Sequence, residues 1–231
     1  MNVERHFAFH YANAFEDAKG NVIFDTVEMH DMELATDFKD PFWQIENPFR
    51  EVTSTRLMRY TIDIRSKRLA FVSGEPNPKV LSTRLPEFPS IPRDMSTKRH
   101  RYIYPLVARK SVNIDHRVPG LAGPVSAVAK IDSEDTTKNE YFSFEPYEFP
   151  SEAILVRKVR NDVAVSSEED ACYLVVNIVN GKNLTTDVAI FDVEKKSLEK
   201  GPRIRFPLPV FTPHMLHGSF AEGVAFEFGE S

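Results

Sequence analysis

One cysteine in 231 residues, Cys172, excludes an intrachain disulfide and any thiolate cluster for a metal. It fits a reducing compartment. No apolar run approaches the length of about 20 residues that a transmembrane helix needs, so none is expected. No arginine- or lysine-rich stripe appears and the net charge is only -5, which argues against nucleic acid as a partner. There is no Gly-rich phosphate loop, no Gly-x-Ser-x-Gly elbow and no Cys-x-x-Cys pair. Helix patterns are scarce. What remains for chemistry is histidine and glutamate, a pairing that suggests a metal.

Strand patterns are plentiful. Apolar residues make up 42% of the chain, with 18 Phe and 7 Tyr, enough for a sizeable core. Segments 10–16 and 21–27 read as strands joined by Asp17-Ala18-Lys19-Gly20, a hairpin connection. Further strands are expected over 53–64, 68–73, 79–85, 100–108, 126–131, 141–144, 152–157, 172–179, 187–193 and 203–207, with one short helix near 32–36. Residues 85–94 read LPEFPSIPRD. Three prolines remove backbone donors, so this is a stiff extended piece and not a central strand. The polar loop 132–140 is expected in solvent. Short strands joined by close turns imply an all-β protein: sandwich, barrel or propeller. No fixed-period repeat is evident, and there is no clear linker, so the chain is one domain or part of one.

The stretch Arg5 to Asp17, RHFAFHYANAFED, is dense in aromatics. Strict alternation would put Phe7, Phe9 and Tyr11 on a core face and Ala8, His10 and Ala12 on the other. Flanked by alanines, His10 has room to point into a cavity; the plainer reading is a buried histidine with one hydrogen-bond partner. His6 shares the parity of His10 and would share its face. His30 and His116 sit in polar contexts, and His214 follows Pro213 in a turn. His217 precedes Gly218 at an apolar strand entry, where glycine permits close backbone approach. Glu87 and Glu152 lie among apolar residues or prolines, where an unpaired carboxylate is costly. Each is either an acid at a strand end or the carboxylate that takes the second N–H of a metal-bound imidazole.

In chain order come Phe9-His10-x-x-Asn13-Ala14-x-Glu16, Glu87-Phe88-Pro89, Arg101-Tyr102-x-Tyr104, Pro150-Ser151-Glu152 before an apolar strand, and His217-Gly218. This set resembles the carotenoid cleavage oxygenase family, which includes the retinoid isomerase of the eye. The resemblance extends over nearly the whole chain and matches about the C-terminal half of the family's domain, so residues 1–231 are expected to be that portion of a seven-bladed β-propeller. It implies a non-haem Fe(II) on the propeller axis held by four histidines, with three glutamates behind them. His10 and His217 match the third and fourth ligands. Glu87 and Glu152 match two of the glutamates, and Glu16 is a further candidate for site support. The remaining ligands have no match here, so the chain alone is expected to be inactive. The implied reaction is oxidative cleavage of a carbon–carbon double bond of a carotenoid or apocarotenoid by O₂, giving two carbonyl products; isomerisation stays open. The alternative is a degenerate, non-catalytic propeller fragment acting as a binding or scaffolding module. Peripheral membrane contact is compatible with the sequence, and since Met1 leads into no apolar leader, a cytoplasmic or plastid protein is expected over a secreted one.

Overall fold

A computed structural model describes residues 6–29, 54–70, 77–109, 125–160, 163–164 and 167–223. The helix expected near 32–36, His30 and His116 lie outside the described residues. Three antiparallel sheets follow one another along the chain. The first contains β1 (Phe7–Glu16), β2 (Asn21–Met29) and β3 (Thr55–Asp63), with β4 (Arg68–Leu69) and β5 (Lys79–Ser82) both paired to β3. The second runs β6 (Glu87–Ser90), β7 (Tyr102–Val107), β8 (Ala127–Asp132), β9 (Glu140–Ser143) in simple up-and-down order. In the third, β10 (Glu148–Pro150) and β11 (Ile154–Arg157) pair with different halves of β14 (Cys172–Asn180), which pairs with β15 (Thr185–Asp192) and then β16 (Ile204–Pro207). A two-stranded ribbon, β12 (Val159–Arg160) and β13 (Val163–Ala164), lies between β11 and β14 in sequence.

The turns form for local reasons. Asp17 Oδ1 accepts the backbone N–H groups of Lys19 and Asn21 at 2.8 and 2.9 Å, and Gly20 takes φ +78° to close the β1–β2 hairpin. Asp63 and Asn180 close the β3–β4 and β14–β15 connections in the same way, each accepting two N–H groups of its own turn.

Period-two alternation on the second sheet makes the stack. Ile103 and Val107 on β7 with Ala127, Ala129 and Ile131 on β8 join Val27, Leu57 and Leu81 of the first sheet in one core. Tyr104, Leu106 and Val128 point the other way and join Cys172, Leu174, Val176 and Phe191 of the third sheet in another. The second sheet is therefore packed on both faces, the arrangement of adjacent propeller blades. Cys172 is fully buried in the second core, and burial pushes its thiol up to about 11. We expect a disulfide reagent at pH 8 to label it only as the protein unfolds; prompt stoichiometric labelling of the native protein would contradict this packing.

The proline-rich segment is indeed not a central strand: β6 is the edge of its sheet. Two sequence expectations fail. Phe9 and Tyr11 are 51% and 61% exposed, because the core forms on the side of His10 and Ala12, where the second sheet packs. The polar loop after β8 is not wholly solvated: Asp132, Ser133 and Glu140 are buried. Asp132 takes the Arg101 guanidinium through both oxygens at 3.0 and 2.7 Å, and Glu140 caps the Leu198 N–H at 3.1 Å.

Candidate functional site

The first sheet delivers His10 through two irregularities in β1. Its register with β2 slips between Phe7 and His10 and again between Tyr11 and Asn13. The first slip separates His6 from His10. His6 goes to the opposite face, stacks on Tyr60 at 5.6 Å and approaches Glu28 at 3.7 Å, so the shared face expected for the two histidines is not found. The second slip lets Asn13, three residues on, join His10 on the inward face. Asn13 Nδ2 lies 3.1 and 3.0 Å from the Met95 and Lys98 carbonyls and 3.0 Å from His100 Nδ1, while its Oδ1 accepts the Thr97 N–H at 2.9 Å. This amide clasps β1 to the loop between β6 and β7.

β1 lies against β6, and His10 Nδ1 meets Glu87 Oε2 at 2.7 Å. A neutral imidazole donating Nδ1–H to a carboxylate keeps the lone pair of Nε2 free, which is the state a metal ligand needs. The same Glu87 oxygen accepts the Phe88 N–H at 3.1 Å.

The second histidine arrives 207 residues later in sequence. Past β16 the chain crosses the start of β11, held by Thr186 Oγ1 donating to the Thr212 carbonyl at 2.9 Å, His214 Nε2 on the Pro150 carbonyl at 3.0 Å and the Met215 N–H on Ser151 Oγ at 3.3 Å. His214 thus ties this segment down. Glu152 finishes the clasp: Oε2 accepts the Gly218 N–H at 2.9 Å and Oε1 lies 3.3 Å from His217 Nδ1. A Cβ on Gly218 would sit 3.0 Å from Ile154 Cδ1, a close approach that the end of the Ile154 side chain would have to yield to.

His10 and His217 end with ring centroids 5.4 Å apart at 71°, each with Nδ1 directed at its own glutamate. The two pairs differ. His10 is 25% exposed and its contact is short; His217 is 55% exposed and its contact is long. Phe88 touches both rings, at 4.9 and 5.8 Å, a role that its place in the sequence did not suggest. Glu16 does not join them. It is exposed at the hairpin end of β1 beside Gly20, six residues and about 20 Å of strand from His10.

Two imidazoles with carboxylates behind them are donors of the kind that a divalent transition metal takes. Among the described residues no group of three or more His, Cys, Asp or Glu side chains is placed to hold a metal together. An open cleft of about 1060 Å³ adjoins the pair, with Glu152 and Gly218 in its wall beside Ile91, Ile154, Leu155 and Phe220.

Known proteins resemble this chain in sequence and fold. The family model for the retinal pigment epithelial membrane protein matches residues 1–222. The apocarotenoid-15,15'-oxygenase of Synechocystis sp. is 26% identical over 223 residues, covering 95% of this chain and 39% of that protein. A carotenoid 9,10(9',10')-cleavage dioxygenase of Crocus sativus is 24% identical, covering 93% of this chain and 36% of its own length. The crystal structure of the cobalt-substituted Synechocystis apocarotenoid oxygenase superposes with a TM-score of 0.76 at 25% identity, over 95% of this chain and 40% of that one. A chimera of that oxygenase with the retinal pigment epithelial membrane protein gives 0.75 at 25% identity. These structures are seven-bladed propellers, and the three sheets are part of such a propeller. The chain spans about 40% of the length of the relatives it matches, and it belongs to the retinal pigment epithelial membrane protein family, the carotenoid and apocarotenoid oxygenases.

Proposed function

We propose that this chain is the C-terminal portion of a non-haem Fe(II) oxygenase that cleaves a carbon–carbon double bond of a carotenoid or apocarotenoid to two carbonyl products. The observation that carries the proposal is the convergence of His10, on β1 of the first sheet, and His217, on the segment that follows β16, each imidazole backed by a glutamate. In this reading the two Nε2 atoms are metal ligands, and the rest of the ligand set belongs to the part of the propeller that this chain does not span. Held there, Fe(II) supplies the redox chemistry with O₂. The protein's part is positional. Glu87 and Glu152 fix the tautomer and direction of the imidazoles and raise their basicity. The cleft that shares Glu152 and Gly218 with the pair carries apolar residues, Ile91, Ile154, Leu155 and Phe220, against which a polyene could lie, alongside the charged Arg93, Asp94 and Arg157.

The test is metal binding and turnover of residues 1–231. Titrated with Fe(II) under anaerobic conditions, the chain is expected to bind weakly, since Fe(II) stands low in the affinity order and two imidazoles are a sparse site. His10→Ala and His217→Ala should each abolish even that. Under O₂ with β-carotene and apocarotenals, the chain alone should release no aldehyde. Binding unaffected by either substitution would overturn the ligand assignment. Product formed at stoichiometric iron would overturn the view that the site needs donors from outside this chain.

A further inference from the structure

The strand β6 is irregular at one point, and that point faces the two imidazoles. Glu87 pairs with Leu106 and Ser90 with Tyr104, so three steps along β6 oppose two along β7. The extra residue falls at Phe88, whose φ is +50°, a left-handed conformation uncommon for a bulky side chain. In a regular strand residues 87 and 88 would point to opposite faces. With the bulge, consecutive side chains reach the same histidine: Glu87 bonds His10 Nδ1 at 2.7 Å, and the Phe88 ring lies 4.9 Å from the His10 ring. The Phe88 ring also meets His217 edge to face at 5.8 Å and 71°. Phe88 also packs, partly buried, against the core between the second and third sheets. Strain held at one position by the surrounding packing, next to a candidate site, is where a structure invests in placement.

We propose that Phe88 is a positioning residue for the pair of imidazoles. Its ring sets the separation of His10 and His217 and keeps each Nδ1 turned to its glutamate, so that both Nε2 atoms face one point. The metal half of this inference rests on the ligand assignment above; the placement of the imidazoles does not.

The test compares three variants of residues 1–231: Phe88→Ala, Phe88→Gly and Phe142→Ala. Phe142 packs against the same core but has its ring contacts with Phe144 and Phe191, away from the histidines, so it controls for lost packing. Glycine accepts the left-handed φ without strain, so it separates ring from backbone. Two readouts are taken: Co(II) affinity, and the tautomer of each imidazole in the metal-free protein from long-range ¹H–¹⁵N spectra. Phe88→Ala and Phe88→Gly should both mix the His10 tautomers and weaken Co(II) binding about tenfold, the low end for loss of a group that supports a ligand. Phe142→Ala should leave both readouts at wild type. Equal effects from Phe142→Ala would reduce Phe88 to packing and overturn the proposal, as would wild-type behaviour of Phe88→Gly. If the wild type binds no Co(II), the ligand assignment fails, and the tautomer comparison alone decides for or against Phe88.

Discussion

Replacing Glu87 with glutamine is expected to weaken metal binding by roughly 10–100-fold, the largest effect of any single carboxylate in the site. Glutamine keeps the size of the side chain and removes its charge. Glu87 Oε2 takes two donors at once, the His10 imidazole and the Phe88 N–H. A charge-assisted bond of 2.7 Å is about twice as strong as its neutral counterpart, and a neutral amide leaves the imidazole less basic and freer to change tautomer. Glu152→Gln should cost less, because its contact to His217 is 3.3 Å and that histidine is more than half exposed. Co(II) titrations of both variants check the order. Unchanged affinity in Glu87→Gln, or a larger loss in Glu152→Gln, would reverse the roles assigned here.

Asp25→Ala should cost about 3–5 kcal/mol of stability, the range for removing one partner of a buried ion pair. Asp25 is fully buried and sits between two cationic or polarised groups. Its oxygens take Arg59 Nε and Nη2 at 2.8 Å each, and Oδ2 lies 2.7 Å from His100 Nε2. His100 is itself enclosed, with Nδ1 3.0 Å from the Asn13 amide. Alanine would leave a guanidinium and an imidazole without their acceptor, on the face of β1 that carries His10. Burial alone would raise the carboxyl of Asp25, but the bonds from Arg59 and His100 outweigh it and hold it below the usual carboxylate range. A depressed carboxyl contributes stability that is present above its unfolded value near pH 4 and is lost as pH falls through the folded value. The wild type should therefore lose stability on the acid side of about pH 4, and Asp25→Ala should lose part of that dependence. Urea unfolding at pH 7 and below pH 4 measures both. A change under about 1 kcal/mol at pH 7 would show the network to be dispensable.

Much of the fold is legible because its signals are local. Asp17 through Gly20 and Asn180-Gly181 mark turns by side-chain chemistry, and the strands between them carry the aromatic and β-branched residues that sheets prefer. The prolines of residues 85–94 remove donors, and an edge strand is where such a segment belongs. The candidates His10, Glu87, Glu152 and His217 stand out in the sequence only as an ordered set of motifs, since nothing in the neighbourhood of one names the other three; the structure brings their side chains together. What alternation could not give was which way β1 faces. Each bulge resets parity, so His6 and His10 part company while His10 and Asn13, an odd spacing for a strand, come together. The cluster of Asn13, Asp25, Arg59 and His100 is spread over four elements or loops, with no local pattern to announce it. Glu16 shows the converse: it shares the motif of His10, yet strand geometry carries it to the hairpin end of β1, away from the two imidazoles.

The separation of 207 positions between His10 and His217 also sets a timetable for assembly. At about 5–20 residues per second, synthesis leaves the first imidazole without the second for roughly 10–40 s. Glu87 emerges early in that interval and can take the Nδ1–H of His10 as soon as β6 settles beside β1. Glu152 is made some 65 residues before the histidine it will hold. Both carboxylates are thus synthesised before His217, so on the ligand assignment proposed above His10 can meet Glu87 before the second imidazole exists. Vectorial synthesis would then make the closing of the segment around Gly218 over Ile154 the step that converts one tethered imidazole into a pair.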